Sequence, residues 1–319
     1  MTAARRTIGD SDLSVFPLSL GGNVFGWTAD RDTSFAVLDG YTAAGGNFID
    51  TADGYSAWVP GNTGGDSERI IGEWFGARGN RDDVVLATKV SQHPDFRGLA
   101  ADNIRRAADA SLERLRTDHI DLYYAHFDDE TVPLEETLAA LSGLVDAGKV
   151  RYIGISNYTP ARIEEWMRIA QAEGLHRPVA LQPHYNLVER NYETTYRGIA
   201  ERENLGVMPY YALASGFLTG KYRDGATVDS PRAGGAAKYL DDRGRDVLDA
   251  LDRVAAEHDA SLASVALAWL AAQPTVVAPI ASARTPEQLP DLLASVGLQL
   301  TDADLDALDD ASGTEEEAA

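Results

Sequence analysis

Short apolar runs alternate with longer amphipathic stretches along the whole chain. The runs are LSLGG (18–22), NFID ending at Asp50, VVLATK ending at Lys89 and HIDLYYAH ending at His126. RYIGIS ends at Ser156, VALQ at Gln182, GVMPY at Tyr210 and VVAPI at Ile280. They are rich in Val, Ile, Leu and Tyr and mostly lack strict alternation, the pattern of strands buried on both faces. Helical spacing fills the intervals, at 32–44, in SERIIGEWFGA, at 101–116, and in PLEETLAALSGLVDAG, which stops at Gly148. Thr159 and Pro160 read as the N-cap and first residue of a further helix. Thr301 and Asp304 form a capping signal for the last one.

Eight strands alternating with helices predict the α/β class and a (β/α)8 TIM barrel, one domain over 1–319. A doubly wound open sheet is the rival arrangement. The interval between the seventh and eighth strands is long. It holds a polar Gly/Pro/Asp segment (223–244) and then two helical stretches ending near Gln273, so the barrel is expected to carry extra C-terminal helices. Before the first strand, Thr7–Ile8 and 13–15 flank GDSD, which reads as an N-terminal β-hairpin placed to plug the barrel's N-terminal mouth. Residues 312–319, SGTEEEAA, read as a flexible acidic tail.

Charge narrows the partners. The chain carries 28 basic and 50 acidic residues, a net charge of −22, which repels nucleic-acid backbones and anionic lipid. Cysteine is absent, which excludes disulfides, thiolate nucleophiles and Cys-based metal sites. The first residues, MTAARRTIGDSDLSV, lack the apolar stretch of a secretory signal. No apolar run approaches the roughly 20 residues of a membrane helix. The expectation is a cytoplasmic protein acting on a small molecule, with neither nucleic-acid nor membrane partners; its oligomeric state is not legible.

In a barrel, chemistry sits at the C-terminal strand ends. Asp50, Lys89, His126, Ser156–Asn157, Gln182 and Tyr210 all fall there. Singly, each has a structural reading: Asp50 as a turn cap, Lys89 as a solvated strand end, His126 as a core histidine. Together, from separated parts of the chain, they point to a site. GGNVFG lacks the glycine spacing of a dinucleotide fingerprint, and GFLTGKY is one residue short of a phosphate loop. Six histidines, at 93, 119, 126, 176, 184 and 258, show no tight metal spacing, and no metal is predicted. A metal-dependent barrel hydrolase using Asp50, Asp53, His126 and Asp128 stays open as an alternative.

These motifs, in order, resemble the aldo-keto reductases over nearly the whole chain. FIDTADGYS carries Asp50 and Tyr55, LATK carries Lys89 and DLYYAHFDD carries His126. GKVRYIGISNY (148–158), LQPHYNLVER and MPYYALASGFLTGKY follow in sequence. The resemblance implies NADPH-dependent reduction of an aldehyde or ketone, with Tyr55 as general acid. A free tyrosine, with a pKa of ~10, donates reluctantly near neutrality. Lys89 beside it is expected to lower that pKa, with Asp50 orienting Lys89. His126 would donate to the substrate oxygen.

The resemblance further implies an extended NADPH across the barrel mouth. Gly22, Asn23 and Asp50 fall on its path; Ser156, Asn157 and Gln182 match carboxamide contacts, and Tyr210 matches the aromatic stacked on the nicotinamide. The loop 211–221, with Ala212, Leu213, Gly216 and Lys221, matches the pyrophosphate cover. In SARTPEQL, Thr285, Pro286 and Gln288 read as a capping box whose helix N-terminus attracts an anion. Ser282, Arg284 and, from the long loop, Arg232 stand near it. Arg284 favours NADPH over NADH, against the alternative of a solvated surface charge. The sequence departs from the family pattern at Tyr211–Ala212, Ala281–Ser282 and Asp291–Leu292, and the last removes an amide contact expected at the adenine.

Trp27, Trp58 and Phe127 lie on loops at the mouth and predict an apolar, aromatic substrate pocket. A cofactor-binding regulatory role, similar to the potassium-channel β subunits that resemble this family, is the remaining alternative.

Overall fold

The computed structural model describes residues 4–223 and 231–313. Its main sheet has eight parallel strands: β1 (Ser19–Gly21), β2 (Phe48–Asp50), β3 (Val85–Val90), β4 (Ile120–Ala125), β5 (Val150–Ser156), β6 (Pro178–Gln182), β7 (Gly206–Val207) and β8 (Ile280–Ala281). Each strand pairs with its sequence neighbour, and β8 returns to β1 with Ile280 beside Ser19. The remaining gap, between β7 and the segment before β8, is closed by backbone hydrogen bonds. Val207 N–H donates to Thr275 O at 3.0 Å, Val277 N–H to Val207 O at 2.8 Å and Ile280 N–H to Pro209 O at 2.9 Å. The ring rules out the open-sheet rival. Pro209 and Pro279 have no N–H to give, and β7 and β8 are accordingly shorter than the apolar runs around them.

The helices fall close to where the spacing places them: α1 (Arg31–Ala43), α2 (Asp66–Arg78), α3 (Ala101–Leu115), α4 (Leu134–Asp146) and α5 (Pro160–Glu173). Thr159 caps α5 by accepting from Arg162 N–H at 3.3 Å, with Pro160 at the first turn. The β6–β7 interval holds two short helices, α6 (Asn191–Thr195) and α7 (Arg197–Arg202). The long interval holds α8 (Ala233–Ala237), α9 (Asp242–His258) and α10 (Leu262–Ala272). After β8 come α11 (Leu289–Ala294) and α12 (Asp302–Ser312), the last with the expected Thr301–Asp304 capping box.

Two expectations are corrected. The acidic tail does not begin at 312: Ser312 is buried, its hydroxyl accepts from Arg190 at 2.7 Å and its carbonyl from Arg243 at 2.6 Å. The rest of that stretch, 314–319, lies outside the described residues. The Thr285 capping box does not form either. Thr285 makes no side-chain cap, and Gln288 Oε1 instead accepts from Arg284 N–H at 2.9 Å, heading a 3-10 turn (Pro286–Gln288).

The hairpin, Arg6–Thr7 against Ser14–Val15, seals the bottom of the barrel. Its Ile8, Leu13 and Val15 join Phe48, Leu122, Tyr124, Met208 and Ala278 in one buried cluster. Burying side chains of this size is worth about 1.5–3 kcal/mol each. Gly9 makes the close approach feasible: its φ is +46°, and a Cβ there would lie 2.4 Å from Val179 O. Among the described residues, no helix is long and apolar enough to cross a membrane.

Candidate active site

The strand ends deliver the polar residues to one rim. Asp50 is the last residue of β2 and Lys89 lies one before the end of β3. Tyr55 follows in a turn fixed by Ser56, whose φ of +67° is left-handed and whose hydroxyl donates to Phe25 O at 2.8 Å. Such a backbone, unusual for a non-glycine residue, marks a turn held by its surroundings.

Lys89 is fully buried and its ammonium makes three bonds: to Asp50 Oδ2 at 2.6 Å, Thr51 O at 2.8 Å and Tyr55 OH at 2.9 Å. Gln182 Nε2 donates to the other Asp50 oxygen at 2.8 Å. Burial alone would push the Lys89 pKa down, but Asp50 and Tyr55 outweigh it and hold the ammonium above its usual range. The Tyr55 phenol departs from expectation. Burial pushes its pKa up, Lys89 pulls it down without prevailing, and Asp50 adds to the rise. The physical reason is that the cost of charging a fully buried phenol outweighs the Lys89 field, part of which the Asp50 charge offsets. The His126 pKa is held far below its usual value, first by burial and then by Lys89, so the imidazole is neutral at pH 7. Its ring stands 6.2 Å from that of Tyr55.

A cavity of about 620 Å³ opens above this group. Of the sequence-predicted residues, its wall contains Asp50, Tyr55 and His126 together with Asn23, Asn157, Gln182, Tyr210, Ala212, Leu213, Gly216, Lys221, Arg232, Ser282, Arg284 and Gln288; Trp58 and Phe127 line it as well. Four are not in the wall. Lys89 lies behind Tyr55. Gly22 is tied into the framework, its N–H to Asp50 O at 2.7 Å and its carbonyl to Ser67 Oγ at 2.8 Å, and Gly21 lines the cavity in its place. Ser156 is buried, donating to Gln182 O at 2.8 Å and accepting from Asn157 Nδ2 at 2.9 Å, so it braces Asn157. Trp27 packs edge-on against Trp58, with ring centroids 5.6 Å apart.

Sequence reasoning left out several wall residues. Ser261, Leu262 and Ala263 arrive from the start of α10, and Glu287 from the turn after β8. Tyr211, in the sequence a departure from the family pattern at the start of the loop 211–221, is half exposed in the cavity wall with φ of +54°. Trp58, Tyr211 and Phe127, exposed by 53, 52 and 42%, are the exposed large apolar side chains among the described residues, and all three line this cavity. A side chain's reluctance to adopt positive φ hides Tyr211 from pattern reading.

The carboxylates of the metal-hydrolase alternative do not converge. Asp50 is taken by Lys89 and Gln182, and Asp128 is held by Arg162 at 2.7 and 3.0 Å. Asp53 is buried, and neither of its carboxylate oxygens has a hydrogen-bond partner. Among the described residues, no three His, Asp or Glu side chains gather to hold a metal ion.

The family model described as the Aldo/keto reductase family matches residues 17–312. Norsolorinic acid reductase B of Aspergillus parasiticus is 34% identical over 94% of this chain and 82% of its own length. An uncharacterized oxidoreductase, YrpG of Bacillus subtilis, is 36% identical over 95% of this chain and 94% of its own length. Protein tas of Escherichia coli is 31% identical over 92% of both. The chain belongs to the aldo/keto reductase family. With its oxidoreductase relatives, this aldo/keto reductase is an oxidoreductase of the NAD(P)-dependent, carbonyl-reducing kind.

The cavity of this aldo/keto reductase suits a dinucleotide. Lys221, Arg232 and Arg284, from separate segments, line it in a chain of net charge −22. Among the described residues, neither Lys221 nor Arg284 is held in an ion pair. The Arg232 guanidinium is held below its usual value by burial, with Arg284 adding to the effect, so cations crowd one another here. Asn23 Oδ1 accepts from Ser282 Oγ at 2.7 Å and Arg232 Nη2 at 3.3 Å, joining three loops around the cavity.

Proposed function

We propose that the chain reduces aldehydes or ketones with NADPH, in the cytoplasm, and that Tyr55 is the proton donor. The observation that carries this reading is the Asp50–Lys89–Tyr55 chain at the cavity floor, with neutral His126 facing it. NADPH, when bound, supplies the hydride. Hydride addition puts negative charge on the carbonyl oxygen, and the Tyr55 O–H donates its proton there. The Lys89 ammonium, 2.9 Å from that phenol oxygen, stabilises the tyrosinate left behind, and Asp50 keeps the ammonium charged and aimed. His126, neutral, has an N–H to offer the substrate oxygen.

Asn157, Gln182 and Tyr210 would hold the nicotinamide end, and Lys221, Arg232, Ser282 and Arg284 the phosphates. Trp58, Phe127 and Tyr211 support a carbonyl substrate with apolar or aromatic bulk. The test is fluorescence titration with NADPH and NADH, followed by NADPH oxidation with 4-nitrobenzaldehyde and small aliphatic carbonyls. Tight NADPH binding with turnover supports the reading. Binding without turnover points to a cofactor-binding regulatory role.

A further inference from the structure

Behind the wall residue Tyr210 lies a ring that neither the sequence reading nor the proposed mechanism uses. His184 follows β6 and pairs with Tyr210 in a parallel bridge, with Tyr210 N–H donating to Pro183 O at 2.9 Å. The two rings are stacked, with centroids 5.2 Å apart and planes 14° from parallel. His184 does not line the cavity and Tyr210 does, so the imidazole covers the back of the tyrosine ring. Burial drives the His184 pKa down, with Lys238 adding to the effect and Glu189 opposing it; the stack is therefore one of neutral rings near pH 7.

Tyr210 OH donates to Asn157 Oδ1 at 2.9 Å, and Asn157 Nδ2 donates to His126 O at 2.9 Å. That hydrogen bond pins the phenolic oxygen, which lies on the axis about which the ring turns, so it restrains the ring's plane only weakly. The flat face of His184 restrains it directly, while Tyr211 touches both rings only at an angle, with centroids 5.4 Å from Tyr210 and 5.3 Å from His184. We infer that His184 is a positioning residue: it sets the plane of Tyr210, and through it the plane of a nicotinamide stacked on the cavity side. The inference rests on the NADPH reading above.

The test compares His184→Ala and His184→Phe with the wild type. Binding is followed by fluorescence titration of NADPH and by calorimetry of 2′-phospho-ADP-ribose, which has no nicotinamide. An offset aromatic pair is worth enough that His184→Ala should weaken NADPH by about 3- to 10-fold and lower kcat. Binding of the nicotinamide-free fragment should stay unchanged, and His184→Phe, which keeps a flat ring, should restore both NADPH affinity and kcat. Unaltered NADPH binding and kcat in His184→Ala would overturn the inference, as would equal loss of the fragment or failure of Phe to rescue. A wild type that binds no NADPH would overturn the parent reading with it.

Discussion

The Nζ of Lys89 lies 2.9 Å from the phenol oxygen of Tyr55, and the same ammonium is bonded to Asp50 at 2.6 Å with no water-exposed surface. The arrangement couples stability to chemistry. Removing one member of a buried ion pair leaves the other uncompensated, a loss of about 3–5 kcal/mol, whereas replacing both with neutral groups is often tolerated. Lys89→Met should therefore destabilise the fold and abolish reduction. Adding Asp50→Asn should recover most of the stability and none of the activity. Denaturant unfolding and NADPH oxidation on the single and double variants check this; a double variant that regains turnover would show that the pair is structural only.

Asp53, two residues before Tyr55, predicts a pH dependence of stability. Burial, reinforced by Glu68 and opposed by Arg114, raises its carboxyl pKa to about 8. An unfolded aspartate titrates near ~3.9. Between these values the folded chain holds a proton that the unfolded chain has lost, so stability falls as pH rises through this window. The contribution is complete below the lower value and gone above the higher one. The wild-type Tm should drop more steeply from pH 6 to pH 9 than that of Asp53→Asn. Parallel curves for the two proteins would show that the carboxyl does not titrate in this range.

Arg284, in the cavity wall with its backbone N–H held by Gln288, is the residue proposed to read the ribose 2′-phosphate. A hydrogen bond to a charged group contributes about 1.5–3 kcal/mol, so Arg284→Ala should weaken NADPH roughly 10- to 100-fold and NADH little. Equal weakening of both cofactors would move the 2′-phosphate elsewhere in the cavity.

The strands and the rim chemistry were legible because both depend on local pattern. Apolar runs locate the strands, and barrel closure then brings Asp50, Lys89, His126 and Gln182 together. What stayed hidden depends on contacts between distant segments. The Thr285 box has the right residue types, but Gln288 bonds Arg284 instead. The short hairpin Gln92–His93 with Phe96–Arg97 carries no apolar alternation to announce it. The raised Asp53 pKa comes from burial beside Glu68, fifteen positions on, and the left-handed Tyr211 is held by buried Asn186, whose Nδ2 donates to its carbonyl at 2.9 Å. Ser156 and Gly22 show the limit of motif matching: the residues are present, but they brace the wall from behind.

The central claim is that Tyr55 gives the proton, and replacing it by phenylalanine removes one oxygen and little else. The measurement is NADPH oxidation by Tyr55→Phe with an aromatic aldehyde, beside NADPH titration of the same protein. General acid catalysis contributes about 10²- to 10⁴-fold, so kcat should fall by at least that order while NADPH affinity stays at the wild-type value. Undiminished turnover in Tyr55→Phe would contradict the account.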